Sequence, residues 1–159
     1  SNIEGDSVDI PAVAAIVSPV RDKSTRYIVD LGGNDVGTMV LGRLKPLLNA
    51  AETDFFMVVN VNRPDTSSPE GIVEEMKSLE DASGLRVTGL INNTNLIRET
   101  TAENIAMGDK ILKEASQLSG VPIKYTTYVE EVVKDAEKLP DDLGGELFPL
   151  KFYMRKDWM

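Results

Sequence analysis

The sequence predicts a three-layer α/β domain with a mostly parallel sheet flanked by helices, and three observations predict it. From Arg26 onward, short β-branched runs alternate with longer amphipathic ones, the pattern of parallel strands joined by crossover helices. One run, Phe55-Phe56-Met57-Val58-Val59, is apolar without alternation, as a strand covered on both faces should be. Another, Tyr27-Ile28-Val29-Asp30-Leu31, carries a carboxylate at its end and passes straight into Gly32-Gly33. Open α/β sheets place charged or phosphorylated ligands at the carboxyl ends of their strands.

Residues 1–25 read as a leader with one short apolar helix, Pro11–Val17, cut off near Pro19, and residues 26–159 as the domain. Ser1-Asn2 stands in place of an initiator Met, so these two residues are expected to be a cloning remnant and the chain a portion of a longer protein. The expected strands are Arg26–Leu31, Asp54–Val61, Arg86–Asn92 and Pro122–Thr127. The expected helices are Val36–Ala51, Pro69–Ala82, Thr101–Ser119 and Val129–Lys138.

Helix ends carry their own signals. Ser68 before Pro69 makes an N-cap and N1 pair, and Gly84 and Gly120 follow last turns. Thr100 or Thr101 begins the third helix, with Glu103 suited to its dipole. The segment 140–145 reads as a solvated loop. In the tail, Phe148, Leu150, Phe152 and Met154 recur every second residue, which predicts a strand, and Pro149 confines it to an edge. Trp158 is expected to lie on that packing as a surface lid.

Composition narrows the chemistry. At 159 residues, the chain is one domain with room for a substantial core. A net charge of -9 argues against a nucleic-acid surface, which needs clustered Lys and Arg, but not against a nucleotide pocket. With neither Cys nor His, thiol nucleophiles, histidine triads and histidine-ligated zinc are excluded. No apolar run approaches the roughly 20 residues that span a bilayer, so no membrane span is expected, and the expected compartment is the cytoplasm.

Three carboxyl-end segments are candidates for chemistry. Gly32 to Thr38 approaches the spacing of a phosphate-binding loop, but its lysine is absent, and Asp30, Asn34 and Asp35 would repel an anion. Asp30 instead suits a carboxylate holding Mg²⁺ through water, with Gly32 and Gly33 as a moving switch; the alternative is a turn in which Asp30 or Asp35 caps a helix. Asn92 and Asn93 close the Arg86–Asn92 strand, where an amide can read a purine or make only an Asx-turn. Arg63 reaches either a phosphate or Asp65. Glu74, Glu75 and Glu80 form a solvated helix face.

The order of these segments, D-L-G-G, then N-V-N-R-P, then G-L-I-N-N, then P-I-K-Y-T-T, resembles the C-terminal two-thirds of the MinD/ParA/CobQ-type ATPases, the deviant P-loop branch. The resemblance runs from about Tyr27 to Thr127. It implies a P-loop NTPase-like fold, incomplete here, that binds ATP and Mg²⁺ and uses hydrolysis as a switch. It implies that Asp30 sits near Mg²⁺, that Gly32 and Gly33 sense the nucleotide, and that Asn93 by spacing, or Asn92 one position earlier, contacts adenine. The loop from Thr126 and Thr127 onward would close over the base. The family's lysine-bearing phosphate loop, first strand and first helix are absent from the sequence. The isolated chain is therefore expected to be inactive, since that loop supplies most of the charge stabilisation in phosphoryl transfer. A homodimer or a protein partner is compatible with this reading. A non-catalytic interaction module on the same scaffold is the alternative, and a flavodoxin-like binding domain for a small anion or cofactor is a third.

Overall fold

The structure, a computed structural model, describes residues 25–32, 45–48 and 52–152. The chain divides into two compact units, one of Ser1–Thr53 with Asp81–Leu85 and the other of Asp54–Glu80 with Arg86–Met159.

The second unit is built on four strands, β1 (Phe56–Val59), β2 (Gly89–Asn92), β3 (Ile123–Val129) and β4 (Glu146–Leu150). They lie in the order β1-β2-β3-β4, every neighbouring pair parallel. Helix α1 (Pro69–Ser83) joins β1 to β2, and α2 (Ala102–Ser119) joins β2 to β3. An all-parallel sheet with helices between its strands is the predicted α/β class, consistent with a three-layer fold.

Local chemistry sets the helix ends. The Ser68 hydroxyl accepts from the Gly71 amide at 3.1 Å. Thr101 caps α2 in a reciprocal box whose partner is Asn104. Gly120, at φ 74°, returns its N–H to the Ser116 carbonyl, a left-handed closure open to glycine at no steric cost.

One core holds the unit together. Met57, Val59 and Leu90 from the strands meet Ile72 and Met76 of α1 and Leu112 and Ala115 of α2 in a single buried cluster, so both helices cover the same face. The opposite face carries a row of aromatic rings. Phe56 meets Tyr125 edge-on at 6.2 Å between centroids, and Tyr125 meets Phe148 at 5.8 Å. There Val58 is 59% exposed and Phe148 47% exposed.

Some expectations need correction. Residues 26–31 form no strand; Ile28 is fully exposed and Tyr27 and Val29 are also exposed. β-Branched composition only makes a strand possible, and no described strand pairs with this run. The expected helix Val129–Lys138 is instead the end of β3, a turn and a 3₁₀ segment at Ala136–Lys138. Val133 buries against Ala102 and Ile105, and the Asp135 carboxylate accepts from the Ala102 N–H at 3.1 Å, so the segment is spent on α2.

Of the helix expected at Val36–Ala51, the described part is a 3₁₀ turn at Lys45–Leu47. The leader helix, Gly33, Met154 and Trp158 lie outside the described residues. The tail strand is present as β4, an edge strand containing Pro149.

The two faces should respond differently to substitution. Leu90→Ala, at a fully buried position, is expected to cost about 2–5 kcal/mol, whereas Val58→Thr should cost less than about 0.5 kcal/mol. Urea denaturation of the two variants measures this, and comparable losses would show that the covered face has been misassigned.

Candidate functional site

The carboxyl end of β2 and the middle of β3 bring together four of the predicted residues, and side-chain alternation sorts them; Thr126 and Thr127 lie within β3 rather than in a loop after it. Asn92 follows Leu90 by two and lies on the helix-covered face, fully buried. Its Nδ2 donates to the Ile105 carbonyl at 3.2 Å, and its Oδ1 accepts from the Thr94 N–H at 3.1 Å. Gly108 makes room for this: a Cβ there would lie 3.0 Å from Asn92 Oδ1 and 2.6 Å from Thr94 Cβ. Asn92 is therefore fully engaged between β2 and α2. Thr126, its partner on β3, is equally buried and donates to the Gly144 carbonyl at 2.8 Å.

Asn93 and Thr127, one residue further along, form a pair. Thr127 Oγ1 lies 2.8 Å from Asn93 Oδ1 and 3.2 Å from the Asn92 carbonyl oxygen. The Asn93 backbone is held on both sides, its N–H by the Val59 carbonyl at 2.8 Å and its C=O by Asn95 Nδ2 at 2.7 Å. Asn95 belongs to a lattice of asparagines that ties the loops after β1 and β2 together. Asn60 Oδ1 accepts from the amides of Asn62 and Asn95, while Asn60 Nδ2 and Asn62 Nδ2 both donate to the Asn95 carbonyl. The N-V-N-R-P turn is thus a brace for Asn93. Arg63 within it is exposed and forms no ion pair with Asp65. Asn93 is half-buried, and its Nδ2 has no hydrogen bond among the described residues.

The magnesium side is not assembled in the same way. Asp30 and Gly32 are exposed, in a stretch without a strand, within the other unit; Gly33 lies outside the described residues. Among the described residues, no group of three or more carboxylates is placed to hold a metal ion. Nor, among the described residues, is any helix long and apolar enough to cross a membrane.

A shallow depression of about 420 Å³ sits at the start of α2, lined by Arg98, Thr101, Lys134 and Asp135 among others. Its position and two cations suggest an anion site. However, Asp135 already occupies the Ala102 N–H, the capping box takes further donors, and Arg98 lies over the Phe152 ring at 5.9 Å. The helix terminus is satisfied from within.

One structural carboxylate escaped the sequence reading. Asp109 lies on the apolar stripe of α2 with Ile105 and Leu112, and it is buried. Its Oδ1 accepts from the Gly144 N–H at 2.7 Å, and its Oδ2 pairs with Lys113 at 2.8 Å. Lys113 also donates to the Asp142 carbonyl at 2.6 Å. The loop expected to be solvated is thus clasped onto α2, which delivers the chain into β4. An acidic residue one turn past Ile105 on a core-facing stripe was the available signal.

Compared with protein-family models, with curated proteins and with solved structures, the chain matches none.

The clasp has a pH signature. The hydrogen bond to Asp109 holds the Lys113 ammonium above its ordinary pKa of 10.5, against the opposing pull of burial. A raised folded-state value means the contribution is complete below pH 10.5 and is lost as pH rises through the raised pKa. The stability gap between the wild type and Lys113→Met should therefore be constant at neutral pH and narrow above that point. Urea titrations at several alkaline pH values check this; a gap that widens would contradict it.

Proposed function

We propose that this chain carries the base-reading part of a nucleotide site, within a switch domain of the MinD/ParA/CobQ kind, and that alone it does not hydrolyse ATP. The observation that carries the reading is the Asn93–Thr127 pair. Of the four polar side chains of Asn92, Asn93, Thr126 and Thr127, Asn93 is the one outside the helix-covered face whose amide keeps hydrogen-bonding capacity that the described residues do not use. An amide offers a donor and an acceptor side by side, which suits a purine edge. The asparagine lattice holds its backbone, so ordering costs are already met before a ligand arrives. The resemblance points to the same residue by spacing, and the burial of Asn92 favours Asn93 over its neighbour.

ATP and Mg²⁺ belong to this reading as ligands of the longer protein. The lysine-bearing loop that grips phosphates is absent from these 159 residues. Base recognition without that grip leaves binding weak and phosphoryl transfer unassisted.

A second reading, a non-catalytic protein-interaction module, is favoured by the contrast between the two sheet edges. β4 carries Glu146 and Pro149, the residues that blunt an exposed edge. β1, the other edge among the described strands, reads Phe-Met-Val-Val with neither charge nor proline. In that reading, an extended strand of a protein partner pairs with β1, and nucleosides leave the chain unaffected.

Nucleoside titration separates the readings. Adenosine and ATP are expected to bind with similar dissociation constants, on the order of 1 mM, because the phosphates find no grip. Asn93→Ala should weaken both about tenfold. Chemical-shift titration reads all of these affinities. Absence of binding by either ligand would remove the base-site reading, and ATP binding a hundredfold tighter than adenosine would show a phosphate grip that the sequence lacks.

A further inference from the structure

Thr127 lies in the middle of β3, an inner strand of the described sheet. It is buried, and both oxygens facing its hydroxyl, Asn93 Oδ1 at 2.8 Å and the Asn92 carbonyl at 3.2 Å, are acceptors. A hydroxyl has one proton, so in this arrangement it cannot fully serve both. A half-turn about the Asn93 Cβ–Cγ bond exchanges Oδ1 for Nδ2 and removes the conflict. Nδ2–H then donates to Thr127 Oγ1, whose own proton goes to the Asn92 carbonyl. Every group in the chain of bonds is satisfied, and Asn93 Oδ1 is left facing outward as an acceptor. The Asn92 end cannot yield, because that residue is pinned beneath α2 by its own side-chain hydrogen bonds.

Resting on the base-site reading above, we propose that Thr127 is a positioning residue that holds the Asn93 amide half-turned, so that the site selects bases presenting an amino group over bases presenting a carbonyl at the same position. An outward acceptor meets an amino group with a hydrogen bond and a carbonyl with lone-pair repulsion. A site built this way discriminates by leaving the wrong ligand's polar atom unpaired.

Adenosine and inosine test this, since one carries an amino group and the other an oxygen on the same ring carbon. The wild-type chain is expected to prefer adenosine about tenfold, the worth of one hydrogen bond with its mismatch penalty. Thr127→Val keeps the side-chain shape without the hydroxyl and should reduce the preference below about twofold, while Thr127→Ser restores it. A merely structural threonine would change both affinities together and leave their ratio alone. One further measurement needs no variant: of the two Asn93 side-chain amide protons, the one bound to Thr127 should exchange with solvent more slowly. An unchanged adenosine preference in Thr127→Val, a wild-type preference for inosine, or equal exchange of the two protons overturns this inference alone. Failure of both nucleosides to bind the wild type overturns the base-site reading and this inference with it.

Discussion

The buried amide of Asn92 is the constraint on which the carboxyl edge of this sheet depends. A primary amide sealed from water must find partners for its donors and acceptors or lose free energy on the scale of a whole hydrogen bond for each. Asn92 finds them in the Ile105 carbonyl of α2 and the Thr94 N–H of the following loop. Those bonds require close approach of helix and strand, which Gly108 permits because it has no side chain to interpose. Once Asn92 is committed inward, strand alternation turns Asn93 to the other side. A buried polar group of this kind adds little net stability, but it admits only one register, since a shift by one residue would leave the amide unpaired.

The same logic runs along the whole edge. Thr126 bonds Gly144, Gly144 bonds Asp109, Asp109 pairs with Lys113, and Lys113 reaches the loop that leads into β4. Asp135 fills the first amide of α2. No described buried side-chain polar atom lacks a partner. Asn93, half-buried and with its backbone held on both sides, keeps amide capacity that the described residues do not use.

Much of this was legible in the residues. Ser68-Pro69 announced the start of α1, Gly120 the end of α2, and the unbroken apolar run at Phe55–Val59 a strand. The burial of Asn92 was legible as well, because Leu90 shares its phase and an apolar residue two positions earlier marks the covered side. Other features were not. Tyr27–Leu31 has strand composition, but a strand is completed by its neighbour, and pairing partners are not written in a local window. Val129–Lys138 has helical spacing, yet tertiary demands drew Val133 into a cluster with Ala102 and Ile105 and Asp135 onto a helix end, outweighing a weak intrinsic preference. The covered face of Phe56 and Val58 was also over-read: the run is apolar throughout, but Val58 is largely exposed.

A nucleotide switch must bind its ligand with different affinity in two conformations, and the difference is all that can move the equilibrium. In phosphate-driven switches that difference comes from groups that sense the terminal phosphate. Base contacts report only that a nucleotide is present, whether di- or triphosphate, and so cannot by themselves tell the states apart. Asn93 and Thr127 sit on strands anchored by the main core, where two conformations of similar energy are hardest to accommodate. In the proposed reading, recognition falls to this braced pair, and the response to a terminal phosphate must come from groups outside it.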